Sequence, residues 1–376
     1  MVNLKQKTQD ILDLAGIKIN GNNSWDMEVK NPRFYSRVLS GGSLALGESY
    51  IDGWWDCRAL DEFFYKVLES KLNEKIKGIK YILPSFIKAK IINLQKKSRA
   101  YEVGKKHYDL GNILYKKMLD KYMNYSCGYW KYAKNLDKSQ IAKLDLICKK
   151  VGLKPGMKVL DVGCGWGGFA KYAAEKYKVD VVGITISKEQ AKLARKLCKG
   201  LPVEIKLEDY RNLPKSNEKF DAIISIGMFE HVGVKNYKIF MKVIYKLLKN
   251  EGLFLLHTIG GNESVNLTDP WIGKYIFTNS MLPSIKQIAE ASENILILED
   301  WHNFGTDYDR TLMAWHKNFN KNWNKIKKSN NYDERFYRMW NYYLLSCAGS
   351  FRARKNQLWQ IVFSKNGIKK GYKSIR

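Results

Sequence analysis

Several common classes are excluded by what this sequence lacks. No apolar run approaches the roughly 20 residues that a helix needs to span a bilayer, so no transmembrane helix is expected. The first residues, Met1 to Lys7, open no apolar segment of the secretory type. A cytoplasmic location is expected. There are only six cysteines (Cys57, Cys127, Cys148, Cys164, Cys198 and Cys347), scattered without CxxC spacing. That pattern makes neither a zinc site nor a disulfide framework, and no metal site is expected. No internal repeat or low-complexity tail stands out. Acidic residues are scarce, 37 against 65 basic ones, for a net charge of +28. Such a field favours an anionic partner, either nucleic acid or an anionic lipid surface. A compositional bias toward Lys and Asn would give the same number, so charge alone does not choose.

What is present is enough apolar residue for a real core: 45% of 376 residues, room for one large domain and a smaller one. Residues 1–70 form a first unit, with Asn31-Pro32-Arg33-Phe34 and Gly53-Trp54-Trp55-Asp56. Paired Trp residues usually belong to core or interface. This unit carries no nucleophile or metal-ligand constellation, and its expected role is lipid handling or dimerisation. Residues 71–99 hold nine Lys/Arg and a single acid, Glu74, with Ile and Phe interleaved and Pro84 breaking any helix. This linker reads either as a basic segment on an anionic membrane or as a connector whose apolar stripe packs on the protein.

Residues 100–376 read as one catalytic domain. From about 151 strands and helices alternate. Strand patterns cover 158–163, 179–186, 203–208, 220–227 and 252–259, with helical patterns at 168–177, 188–199 and 235–249. Later strands near 295–300 and 358–364 close the sheet, and 306–355 reads as helical and aromatic-rich. Repeated strand–helix units imply a mostly parallel sheet whose ligands bind at the carboxyl ends of the strands. The first strand runs into Asp161-Val162-Gly163-Cys164-Gly165-Trp166-Gly167-Gly168, a glycine turn leading straight into a helix. The turn departs from the dinucleotide fingerprint and lacks a P-loop Lys. It looks like the first motif of the seven-stranded methyltransferases that bind S-adenosylmethionine.

The other strand ends carry the remaining polar residues. Asp161 can hold the turn amides or face the ligand's amino group, while Cys164 and Trp166 act through backbone and shape. The second strand ends without the acid that commonly holds a ribose. Thr185, Ser187 and Gln190 are left for that work, and Ser187 also fits a helix N-cap. Asp209 and Tyr210 are placed to meet the adenine. Gly227 precedes Met228-Phe229-Glu230-His231, where Glu230 is either a helix-start carboxylate or a group facing the transferred methyl. His257 interrupts an apolar strand at its end, as a structural residue or a functional one. Upstream, Tyr125-Ser126-Cys127 lies among aromatic residues whose ring faces suit a sulfonium ligand or line the core.

Taken together these residues resemble the cyclopropane-fatty-acyl-phospholipid synthase family. The resemblance runs from about 100 to 365. It rests on His107-Tyr108-Asp109-Leu110-Gly111-Asn112, Tyr125-Ser126-Cys127, the glycine motif, Gly183-Ile184-Thr185-Ile186-Ser187, Gly227 to Gly233, Leu256-His257-Thr258-Ile259-Gly260, Asp300 to Asp309, and Phe351-Arg352-Ala353-Arg354. It implies a seven-stranded class I methyltransferase fold with a smaller, mainly helical N-terminal domain. It also implies S-adenosylmethionine as methylene donor and an unsaturated phospholipid acyl chain as acceptor. The catalytic set it implies is Cys127, Glu230, His257, Ile259 and Tyr308, holding a bicarbonate ion. The cofactor set is Tyr125, Ser126, Asp161, Gly163, Cys164, Gly165, Trp166, Gly167, Gly168, Thr185, Ser187, Gln190, Asp209, Tyr210 and Gly227.

The expected partner is an anionic, unsaturated phospholipid surface on the inner face of the cytoplasmic membrane, met by a peripheral homodimer and not by a nucleic-acid binder. A nucleic-acid methyltransferase would fit the charge, but the Asn/Asp-Pro-Pro-aromatic tetrad of the amino-methylating DNA enzymes is absent after the fourth strand. Methylation of another lipid or small molecule without ring closure is the alternative. Tyr308 and Phe229 are expected to offer ring faces to a developing carbocation.

Overall fold

The computed structural model describes residues 3–72, 112–215 and 217–376. Nearly all of the basic 71–99 segment, and His107 to Gly111, lie outside the described residues. The chain opens with α1 (Leu4–Asp13), β1 (Glu28–Val29), α2 (Phe34–Ile51), β2 (Trp55–Asp56) and α3 (Leu60–Glu69). Then come α4 (Asn112–Met118) and α5 (Leu136–Lys150), which lead into the sheet.

The sheet elements are β3 (Lys158–Val162), α6 (Gly168–Tyr177), β4 (Asp180–Thr185), α7 (Lys188–Leu197), β5 (Val203–Leu207), β6 (Phe220–Ile226), α8 (Val234–Leu247) and β7 (Leu248–Gly261). Two short helices, α9 (Pro270–Tyr275) and α10 (Ile285–Ser292), precede β8 (Ile297–Asn303). The chain finishes with α11 (Thr306–Asn330), α12 (Glu334–Arg352) and β9 (Asn356–Ser364). The strand order is β5-β4-β3-β6-β7-β9-β8, with β9 antiparallel to both its neighbours and the others parallel. This is the expected seven-stranded, mostly parallel sheet.

The buried strands follow their apolar patterns because both faces are covered by helices. β8 starts and ends later than its apolar residues suggested. It is an edge strand, where half-buried Trp301 and His302 and exposed Asn303 belong as readily as Ile or Leu, while buried Asp300 is ion-paired with Arg376 and Lys150. β7 begins four residues early because Leu248 pairs with Phe220 ahead of a register shift. The helical stretch expected over 306–355 divides into two helices. Asn331 turns the chain in the left-handed region at φ 51°, and the Asp333 side chain caps the next helix by accepting from Phe336 N.

The N-terminal helices pack on α12, and one apolar cluster runs from Phe34, Trp55 and Phe63 through Tyr342 and Trp340 to Trp315. At Gly349 a Cβ would lie 2.6 Å from the Asp61 carbonyl oxygen and 2.8 Å from Tyr65 N, so only glycine lets α12 come this close to α3. Beside it, Arg352 binds Asp61 at 2.8 Å and both Asp309 oxygens at 3.0 Å, and also reaches Glu62. Arg338 bonds the Tyr50 carbonyl at 2.6 Å and Asp56 at 2.7 Å.

Candidate functional site

The parallel strands end together at one edge, and a cavity opens there. Its wall includes Asp161, Gly163, Cys164, Gly165, Trp166 and Gly168 from the glycine turn, with Thr185, Gln190, Asp209, Tyr210 and Gly227 from the next strand ends. Tyr125 and Ser126 complete it from the loop before α5. The turn is held to β4 by Gly163 N and Cys164 N, both donating to the Ile184 carbonyl. At Gly168 a Cβ would sit 2.3 Å from the Tyr122 carbonyl oxygen, so the glycine allows the 120–126 loop to close over the helix start. In that loop Met123 holds φ at 59°, a costly conformation for a side chain of its size.

Two residues expected at the cofactor lie off this wall. Ser187 lies outside the cavity wall and caps α7, accepting from Gln190 N. Gly167 is also off the wall and turns the chain at φ 83°. Thr185 Oγ1 donates to Gln190 Oε1 at 2.8 Å, so these two act as a pair. Asp209 is on the wall, but Arg211 grips both of its oxygens at 2.8 and 2.6 Å. Asp161 differs: it is 2% exposed and its Oδ2 has no hydrogen-bond partner. Burial pushes its carboxyl up to about 7, against the pull of Lys143. An unpartnered carboxylate oxygen on the wall fits the amino group of a methionine moiety.

The five residues of the second set lie off this wall, although their sequence neighbours Ser126, Met228 and His231 are on it. Glu230 Oε1 accepts from Ile259 N at 2.7 Å, while its buried Oε2 has no partner. Burial pushes that carboxyl up to about 7. Gln360 Nε2 lies 3.3 Å from His257 Nδ1. With Gln360 donating, the ring proton sits on Nε2, which is buried and has no partner. Burial drives the imidazole well below its ordinary range, so it stays neutral.

Cys127 is fully buried, its thiol raised by desolvation, with Sγ 3.2 Å from the Gly128 carbonyl oxygen. It is an uncharged donor, not a nucleophile. Thr311 accepts from Gly128 N at 3.0 Å, which ties this loop to the first turns of α11, where Tyr308 sits. Tyr308 stacks on Phe351 at 4.5 Å and meets Trp315 edge-on at 5.9 Å; Trp315 in turn lies 5.2 Å from Tyr125. Phe229 is not part of this aromatic group. It stacks on Tyr237 at 4.1 Å, fully buried in the core against α8, because its short 3-10 turn points it inward.

A donor on His257 and an acceptor on Glu230, both buried and unpartnered, match a small hydrogen-bonding anion that both donates and accepts. Among the described residues no cluster of His, Cys, Asp or Glu is arranged to hold a metal. The sequence reading missed the supports in α5. Gln140 Nε2 holds the Ser126 carbonyl at 2.7 Å, and Lys143 Nζ holds the Ser126 hydroxyl at 2.8 Å. Nothing local announces them: a Gln and a Lys in a helix read as solvated until the 120–126 loop folds over them.

The family model described as mycolic acid cyclopropane synthetase matches residues 95–361. The cyclopropane-fatty-acyl-phospholipid synthase of Escherichia coli (strain K12) is 55% identical over 374 residues, covering 98% of this chain and 94% of that one. A solved cyclopropane synthase from Mycobacterium tuberculosis superposes with a TM-score of 0.65 at 32% identity, covering 70% of this chain and 98% of the other. A mycolic acid cyclopropane synthase complexed with SAH and CTAB gives 0.64 at the same identity and coverage. With the glycine turn, the strand-end acids and histidine, and this match along nearly its whole length, the chain belongs to the cyclopropane-fatty-acyl-phospholipid and mycolic acid cyclopropane synthase family.

Proposed function

We propose that this enzyme converts the cis double bond of an unsaturated phospholipid acyl chain to a cyclopropane ring, with bicarbonate held by the second residue set. The observation that carries the base site is the pair of buried, unpartnered atoms, Glu230 Oε2 in the 3-10 turn after β6 and His257 Nε2 on β7 opposite the last residue of β6. S-adenosylmethionine, against the glycine turn and Asp161, supplies the methyl carbon as an electrophile. An alkene is a weak nucleophile, so the chain's task is to hold it in line with that carbon and dry. Positive charge then develops on the former alkene carbons. The Tyr308, Trp315 and Tyr125 rings connect the cofactor cavity to this region and offer faces to that charge.

Ring closure needs one proton removed from the delivered carbon. A carboxylate touching the cation would trap it as an ester; bicarbonate, held by His257, Glu230, the Ile259 backbone, Cys127 and Tyr308, would supply a small base there instead. Glu230, raised by burial, shares a proton with an anion beside it instead of repelling it. The chain works as a homodimer on the inner face of the cytoplasmic membrane, drawn to anionic lipid by its +28 charge. Among the described residues no helix is long and apolar enough to cross a membrane, which suits a peripheral mode. The base site is tested by assaying in buffer stripped of dissolved carbonate. Activity lost there and restored by added bicarbonate supports it; activity indifferent to both treatments rejects it.

A further inference from the structure

Lys143, on α5, is fully buried, yet no carboxylate makes an ion pair with it among the described residues. Its Nζ donates only to neutral oxygens, Ser126 Oγ at 2.8 Å and Asn124 Oδ1 at 3.2 Å. Ser126 and Asn124 both line the cofactor cavity, and Asp120 fixes Asn124 by accepting its backbone N–H at 2.7 Å and its side-chain amide at 2.9 Å. A lysine ammonium taken out of water without a contact counter-ion is costly, and an ordinary core would hold an apolar residue here.

We propose that Lys143 is a positioning residue for the cofactor: its ammonium stabilises the Asp161 carboxylate that receives the ligand's amino group, and its hydrogen bonds fix Ser126 and Asn124 on the cavity wall. Every element around the pair contributes to the balance. The charges and titratable groups facing Lys143 are Asp120, Cys127 and Asp161, and Lys143 also acts on His257 across the sheet edge. Asp161 is opposed by desolvation and supported by Lys143 alone; its further neighbours Cys164 and Cys198 stay protonated thiols. Burial lowers Lys143 itself to about 8, opposed first by Asp120 and then by Cys127 and Asp161. The device explains how a carboxylate at the bottom of an apolar cavity is ready for a cation without a direct salt bridge, which would have to be broken for the ligand to bind.

This inference rests on the cofactor assignment and not on the acceptor or the base. The test is calorimetric binding of S-adenosylhomocysteine between pH 6 and 8.5 to the wild-type full chain, Lys143→Met, Lys143→Gln and Ser126→Ala. Wild-type affinity should rise with pH and level off. Both Lys143 variants should move that rise upward by about one pH unit, weakening binding about tenfold near pH 7 and much less at pH 8.5. Lys143→Gln keeps an amide donor for Ser126, so it separates charge from hydrogen bonding if the Met variant folds poorly. Ser126→Ala should weaken binding without moving the pH at which it rises. A loss that is equal at every pH in the Lys143 variants, or unchanged binding, would overturn the proposal. Failure of ring formation with this binding pattern intact would count against the proposed reaction and leave Lys143 in its role.

Discussion

Ile259 N donates to Glu230 Oε1 at 2.7 Å, and the other oxygen of that carboxyl is buried with nothing to bond. Ile259 lies near the end of β7 and Glu230 in the 3-10 turn that follows its neighbour β6, so this one hydrogen bond ties the turn to the sheet and fixes the carboxyl. Glu230→Gln keeps an acceptor for Ile259 but replaces the acidic oxygen. It is expected to slow turnover about 100-fold, with the affinity for S-adenosylhomocysteine changed less than about threefold. His257→Gln and Tyr308→Phe should follow the same pattern. Single-turnover rates and calorimetry together check it; an equal fall in cofactor affinity in all three would contradict the separation of the two residue sets.

Glu230 should also cost stability. Its carboxyl is raised to about 7 in the folded chain, from an ordinary 4.5, by burial. Between those values the native state holds a proton that the unfolded state has released, so its contribution is full below about pH 4.5 and is lost as pH rises through 7. Glu230→Gln should therefore be no more stable than wild type at pH 5 and more stable at pH 8, by roughly 1–3 kcal/mol. Urea unfolding at the two pH values measures the difference. A gain that does not grow with pH would show that the carboxyl is not held neutral.

The contact of α3 with α12 turns on one missing methyl group. At Gly349 an added Cβ would meet the Asp61 carbonyl oxygen, part of the backbone, which cannot swing aside. Gly349→Ala should lower stability by about 1–3 kcal/mol and loosen the N-terminal helices. Urea unfolding and faster proteolysis of residues 1–70 would register it. A variant as stable and as protease-resistant as wild type would contradict this packing.

Attraction to anionic lipid predicts a salt dependence. Activity on vesicles containing anionic phospholipid should fall several-fold between low and high ionic strength as screening shortens the reach of the charge. Activity on detergent-dispersed lipid should change little. Equal salt sensitivity in both would move the effect from the membrane to the enzyme itself.

The sheet was legible in the sequence because most of its strands are buried and its helices follow at short intervals, so apolar runs and glycine turns mark most boundaries; the exceptions are the edge strand β8, the early start of β7 at Leu248 and the turn at Asn331. The glycine turn, Asp161 and the strand-end groups were placed by the rule that ligands bind where parallel strands end. Tertiary pairing was not legible. Nothing local to Asp209 announces that Arg211 grips both its oxygens, and nothing in Phe229 tells that its 3-10 turn faces the core. Lys143 was hidden for the same reason: a lysine in an amphipathic helix reads as a solvated residue until the 120–126 loop is folded over it.

The most direct measurement is mass spectrometry of unsaturated anionic phospholipid vesicles after incubation with the protein and methyl-labelled S-adenosylmethionine. Ring formation predicts labelled acyl chains heavier by one CH₂ and resistant to hydrogenation. Labelled chains that still take up hydrogen would mean methylation without ring closure, and unlabelled lipid with cofactor still bound would contradict the phospholipid acceptor altogether.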